Sequence, residues 1–213
     1  MGGVTMPRVA YSEEDRERVR SALLDAALEL MARQGVQHTT VEQIYRAVGI
    51  SRTFFYTFFP TKEDLIVETF YRQQPRILSH ARSLMADPSL RWQEGVRRFL
   101  HACCYGERSG IAVMTVEEQR LLFQRLSPES FQVFREKQFR LFADLLTCFG
   151  VPASRENVQL FTNISLTAMV VRRAIPETLP FFVPEAAEVT VNFQIDAIVA
   201  ALERMRGVTE QPQ

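Results

Sequence analysis

Thr40-Val41-Glu42-Gln43-Ile44-Tyr45-Arg46-Ala47-Val48-Gly49-Ile50-Ser51-Arg52-Thr53-Phe54-Phe55-Tyr56-Thr57-Phe58-Phe59-Pro60-Thr61-Lys62 is the stretch that decides the fold. Thr40 is a favoured N-cap ahead of Val41, Ile44 and Val48, which share one helical face. Gly49 ends that short helix and Ser51 caps another that runs to about Phe58. Pro60 stops it. Two short helices joined at Gly49-Ile50 have the spacing of a helix-turn-helix, whose glycine turn sets the pair at ~90–120°. On spacing alone, any small helical bundle fits as well.

Working outward, Ser12 caps a first helix that reaches about Arg33, with Glu13, Glu14 and Asp15 in the turn where acids suit the helix dipole. Val19, Leu23, Ala26, Ala27, Leu30 and Met31 form its apolar stripe, and Gly35 closes it. Thr61 caps a fourth helix, with a kink or break expected at Pro75. Further helices are expected from Pro88 to about Tyr105, Gly110 to Leu126, Ser127 to Phe149, Ser154 to about Ala174, and Pro184 to near Gly207. Residues 175–183 read as a loop. No stretch alternates with period 2, so the fold class is all-α, with about nine helices. No internal repeat or low-complexity segment interrupts it.

Composition narrows the function classes. A chain of 213 residues with 46% apolar and 23% charged side chains can bury a real core. Twenty-five Lys+Arg balance 25 Asp+Glu, which argues against a wholesale polyanion binder but leaves room for a local basic face. Residues 1–62 hold eight Arg+Lys against seven Asp+Glu, and most of those acids fall on the first helix. Cys103, Cys104 and Cys148 make no disulfide framework; they suit small buried residues in a reducing compartment. Met1–Tyr11 has no apolar core of a signal peptide, and no run nears the ~18 apolar residues of a membrane span. A cytoplasmic location and no membrane partner are expected.

The string Ala26-Ala27-Leu28-Glu29-Leu30, Gly35, Thr39-Thr40-Val41, Ile44, Gly49-Ile50-Ser51-Arg52, Phe55-Tyr56 and Phe59-Pro60-Thr61-Lys62-Glu63-Asp64-Leu65 closely resembles the TetR (tetracycline-repressor-like) family of bacterial transcriptional regulators. The match runs without gaps from Arg18 to Phe70, and the remaining ~140 residues match only in length and helical character. The resemblance implies an N-terminal three-helix DNA-binding domain and a C-terminal helical domain for ligand binding and dimerisation. The expected division is a disordered lead-in at 1–11, DNA binding at 12–61, effector binding and dimerisation at 62–207, and a disordered tail at 208–213.

The resemblance carries DNA contacts to Thr40, Arg52, Thr53, Tyr56, Thr57 and Lys62. The chemistry is legible beside it. Thr40 opens a helix whose free N–H groups suit a phosphate, and Lys62 does so from the other flank. Arg52 starts the recognition helix, where a bidentate contact to a guanine edge is possible. Plain roles stand alongside: Thr40 as a cap, Tyr56 as partly core, Lys62 as a solvated charge. Phe54 and Phe58 depart from the family, which often has a small hydroxyl residue and a histidine there. At least one of the two rings is expected to be exposed.

For an apolar or aromatic effector, the candidate ligand residues are His80, Trp92, Phe99, His101, Tyr105, Met114, Phe123, Phe134 and Phe142, each equally at home in a plain core. Arg172-Arg173 could face an anion or simply solvent. No cofactor and no metal site are expected: the three histidines lack ligand spacing, and there is no GxSxG, P-loop or GxGxxG. The chain is therefore read as no enzyme. It is read as a repressor that leaves a double-stranded DNA operator when a small apolar molecule binds. An activator, a thiol redox sensor using Cys103 or Cys104, and a helical binding protein that has lost DNA binding stay open. A homodimer is expected through Val158, Phe161, Ser165, Ala168 and Met169 of one helix and Val191, Ile195, Ile198, Val199 and Leu202 of the last.

Overall fold

Four of the helix starts carry reciprocal caps, in which a Ser or Thr hydroxyl accepts the N3 amide and the N3 side chain accepts the cap amide: Ser12/Asp15, Thr40/Gln43, Thr61/Asp64 and Thr115/Glu118. The computed structural model describes residues 11–174 and 183–207. It is all-α, with ten helices among the described residues: α1 (Glu13–Gln34), α2 (Val41–Val48), α3 (Arg52–Phe55), α4 (Lys62–Ala86), α5 (Trp92–Cys104), α6 (Gly106–Ser109), α7 (Val116–Arg125), α8 (Pro128–Cys148), α9 (Arg155–Ala174) and α10 (Ala187–Gly207). A 3-10 turn, Pro184–Ala186, leads into α10. The expected loop at 175–183 lies outside the described residues except for Val183. The lead-in, except for Tyr11, and the tail after Gly207 lie outside them too.

Helices α1 to α3 form the helix-turn-helix unit. Gly49 ends α2 at φ 75°, a left-handed conformation that a side chain would strain. Leu23, Ala27 and Met31 of α1, Ile44 of α2 and Phe55 of α3 bury against Phe59 and Leu65. Helix α4 joins two cores. Its first half places Leu65, Ile66 and Phe70 in the N-terminal cluster, and its second half places Ile77 and Ala81 among α5, α8, α9 and α10. Arg72 ties α4 back to α1 through Asp25 at 3.0 Å and Ser21 at 2.8 Å.

Several elements differ from expectation. Helix α3 stops at Phe55 rather than Phe58. Thr57 and Phe58 make i−3 bonds, and Thr57 Oγ1 donates to Phe54 O at 2.7 Å. This tightening comes just before Pro60, which disfavours α geometry at the residue preceding it. Helix α4 runs unbroken through Pro75. Helix α5 starts at Trp92 rather than Pro88, because the Asp87 carboxylate takes the Ser89 amide at 2.9 Å and folds a turn.

The expected helix from Gly110 is instead an extended strap over residues 111–115, with α7 starting only at Val116. Gln73 of α4 accounts for the strap: its Oε1 accepts the Ala112 N–H at 3.0 Å, and its Nε2 donates to Ala112 O at 3.1 Å. Both backbone groups that a helix would have used are satisfied by one side chain. The strap passes so close over α6 that any Cβ at Gly106 would strike the Ile111 carbonyl.

The stripes on α9 and α10 expected to join two copies are core residues of the single chain. Val158, Phe161, Ser165, Ala168, Val191, Ile195, Ile198, Val199 and Leu202 are all buried, and Met169 is partly so. The amphipathic faces pack on α5, α8 and each other. What these helices leave exposed is a different apolar set, Leu160, Val189 and Phe193.

Candidate nucleic-acid interface and effector cavity

Ser51 accepts the Phe54 amide at 3.2 Å and so opens α3 to solvent with Arg52 and Thr53 at its first turn. Arg52, Thr53, Tyr56 and Thr57 are exposed together, with the Arg52 guanidinium 5.8 Å from the centre of the Tyr56 ring. Thr40 is exposed as well. Its hydroxyl serves the Gln43 amide as a cap, which leaves the helix N-terminus facing out.

Phe54 and Phe58 are both half-buried, contrary to the expectation that one is bare. Their rings meet edge-on at 5.0 Å. Tyr11 covers Phe54 at 4.6 Å, and the Arg16 guanidinium lies 5.0 Å from Phe58. Tyr11 and the first turn of α1 therefore cover the aromatic side of α3 and the turn after it. Nothing in the local sequence marks Tyr11 for this part.

Lys62, expected at a DNA phosphate, also has a partner within the chain. Its ammonium turns inward and donates to Val36 O at 3.2 Å, half-buried, and the loss of water pushes its pKa down. The N–H of that same peptide group, on Gln37, donates to the buried Glu118 carboxylate at 2.6 Å. Glu118 also accepts the Thr115 amide at 2.8 Å. One peptide unit in the turn between α1 and α2 is thus gripped by a cation at its oxygen and an anion at its nitrogen, from α4 and α7. Arg125 of α7 adds a 2.6 Å ion pair to Glu63. Sequence reading missed Glu118, because Thr115-x-x-Glu118 signals only a capping box.

A cavity of about 120 Å³ lies between α4, α5, α8, α9 and the strap. Five of the expected ligand residues line it: Phe99, Met114, Phe123, Phe134 and Phe142. The other four stand elsewhere. Trp92 donates its indole N–H to Phe149 O at 2.8 Å, which holds α5 to the end of α8. Tyr105 is buried beside His101 (4.2 Å) and under the Arg172 guanidinium (4.3 Å). His80 and His101 line two separate surface grooves. Arg172 is paired with Glu107 at 3.0 Å, and the side chain of Arg173 lies outside the described residues. The walls also carry Gln73, Gln74, Gln119, Gln138 and Ser165, which aromatic counting passed over.

Cys103 touches the cavity and Cys104 lies behind it. Burial pushes the Cys103 thiol far above its ordinary range and Cys104 up to about 11, although Arg172 works the other way on Cys104. At neutral pH both stay protonated, the form least reactive to peroxide, which weighs against the redox reading. Among the described residues no cluster of three or more His, Cys, Asp and Glu could hold a metal ion. No described helix is long and apolar enough to cross a membrane.

Comparison with known proteins follows the same division. Residues 23–69 match the family described as bacterial regulatory proteins, tetR family. The HTH-type transcriptional regulator AcrR of Shigella flexneri is 32% identical over 66 residues, 31% of each chain. The HTH-type transcriptional regulator TcmR of Streptomyces glaucescens is 46% identical over 48 residues, 22% of this chain and 21% of TcmR. The matched stretches thus span less than a third of these curated relatives. A TetR transcriptional regulator from Legionella pneumophila shares the fold over 90% of this chain and 98% of its own, with a TM-score of 0.56 and 19% identity. GusR of Salmonella enterica does so over 87% and 95%, with a TM-score of 0.52 and 20% identity.

Proposed function

We infer, from a chain whose residues 23–69 match the family described as bacterial regulatory proteins, tetR family, a cytoplasmic, dimeric transcription regulator that leaves its double-stranded DNA operator when a small apolar molecule binds. The observation that carries this reading is the pairing of an exposed face on α3 and the turn after it, Arg52, Thr53, Tyr56 and Thr57, with an apolar cavity lined by α4, the helix that also packs into the N-terminal core. Residues 12–61 are assigned to DNA binding and 62–207 to effector binding and dimerisation. In a two-fold dimer, two copies of α3 enter successive major grooves ~34–36 Å apart. Arg52 reads a base edge; Thr40, Thr53, Tyr56 and Thr57 hold phosphates, sugars or thymine methyls.

A gel shift on the protein's own promoter DNA at several salt concentrations tests the reading. Salt-dependent, sequence-selective retardation is expected. Arg52→Ala should relax preference at one base position by about 1–3 kcal/mol. An unchanged ranking of operator variants would remove the base-reading role, and no shift at any salt would favour a binding protein without DNA.

Coupling has a physical route. A ligand in the cavity presses on the strap, whose Thr115 amide shares the Glu118 carboxylate with Gln37. Spacing between the two α3 helices tolerates little change, so a small displacement there lowers DNA affinity, and DNA lowers ligand affinity by the same factor. Glu118→Ala should cost about 1.5–3 kcal/mol of stability, because a charge-assisted bond is lost and two amides lose their acceptor. Urea unfolding measures the cost. Faster amide exchange at Gln37, with exchange in α8 unchanged, would locate it in the clamp, and unaltered exchange at Gln37 would dissolve the proposed route.

A further inference from the structure

The polar groups in the cavity wall differ in how they are used. Gln73 spends both ends of its amide on Ala112. Gln74, the next residue on α4, has a buried Nε2 with no partner. On α9, Ser165 is 2% exposed and its Oγ is also unpaired. That is unusual for a hydroxyl inside a helix. Thr162 and Thr167 on the same helix donate to the carbonyls of Val158 and Asn163, four residues back, at 2.7 Å. A buried donor without an acceptor costs free energy, and few persist without a reason. Both orphans line the same cavity, one from α4 and one from α9.

Gln119, whose Nε2 donates to Met114 O at 3.3 Å, and Gln138 are the other polar lining residues described, and the rest of the described wall is apolar, with Phe99, Phe142 and Phe161 prominent. Among the described residues no acid, arginine, lysine or histidine lines the cavity, so there a charged ligand would be desolvated without compensation. At about 120 Å³ the space is close to the ~150 Å³ of an apolar cavity known to hold benzene.

We propose that the cavity takes an uncharged, single-ring aromatic compound carrying one hydrogen-bond acceptor, such as an aryl carbonyl, held by Gln74 Nε2 and Ser165 Oγ. This rests on the reading of the cavity as the effector site. Donors from α4 and α9 converging on one oxygen would draw the two helices together, and α4 begins beside the clamped turn of the DNA-binding half.

The test is calorimetry on the full-length protein without DNA, using three probes of similar shape. Acetophenone offers the carbonyl, α-methylstyrene replaces it with a carbon, and benzoate carries a charge. Acetophenone should bind about tenfold or more tighter than α-methylstyrene, the worth of one to two neutral hydrogen bonds, and benzoate should not bind measurably. In Ser165→Ala/Gln74→Leu, α-methylstyrene should match or exceed acetophenone. The single variant Ser165→Ala keeps the Gln74 donor and should narrow the ketone's preference several-fold; an unnarrowed preference there overturns the proposal should the double variant not fold. Equal binding of the ketone and the hydrocarbon by the natural protein overturns the proposal, as does binding of benzoate or an unchanged ranking in the variants. Operator release is read separately. Release by a larger or charged compound, with no aromatic probe bound, sinks the proposed ligand class and leaves the effector reading intact. The expected ranking without any effect on the DNA complex does the reverse.

Discussion

Phe55→Ala should lower the unfolding free energy by about 3–5 kcal/mol, the usual cost of emptying a buried phenylalanine site. Phe55 has no exposed surface and meets Tyr56 at 5.3 Å and Phe59 at 5.9 Å. Helix α3 is only four residues long, too short to persist by its own hydrogen bonds. Phe55 is its anchor into the cluster of Leu23, Ile44 and Leu65. A domain stable by about 5–15 kcal/mol loses a large share of its margin. Thermal unfolding followed by circular dichroism measures the loss, and specific DNA retardation should disappear with it. Phe55→Leu should cost less, because the cavity left behind is smaller. A Phe55→Ala protein with unchanged melting and DNA binding would mean that α3 is held from elsewhere.

Val189→Asp/Phe193→Asp should turn a dimer into a monomer. Val189 is 69% exposed and Phe193 73%, one turn apart on α10, and Leu160 of α9 is 46% exposed. Large apolar side chains left exposed one turn apart on a helix point to a covered surface. Here the expected cover is a second copy of the same two helices. Two carboxylates in that interface would be desolvated without partners. Since the side chains lie outside the core, the monomer should stay folded, melting lower only by the lost contribution of association. Operator affinity should fall about 10²–10⁴-fold, because the second half-site no longer adds its effective concentration. Light scattering at micromolar concentration reads the mass, and a titrated gel shift reads the affinity. A double variant that remains dimeric places the interface elsewhere.

Much of the N-terminal half was legible because its signals are local. Ser12, Thr40 and Thr61 cap helices whose partners lie three residues away, and Gly35 and Gly49 end helices at their own φ angles. The exposed face of α3 also followed from the sequence: once Phe55 and Phe59 point inward, Arg52, Thr53, Tyr56 and Thr57 cannot. Five of the nine ligand candidates share one cavity. Trp92, Tyr105, His80 and His101 do not, because helical spacing says which residues share a face but not what that face meets.

Caps, glycine turns and 3.6-residue stripes act within a turn or two of chain, so the all-α class, most helix starts and the helix-turn-helix are readable from the amino acids alone. Long-range contacts set the rest. Gln73 turned the expected helix at 110–115 into a strap from 39 residues away. Lys62 and Glu118 closed on one peptide group from two different helices. The stripes of α9 and α10 became core, and their opposite faces became the candidate interface. An amphipathic stripe records that a face leaves water; only the assembled helices determine whether it is buried within one chain or against another.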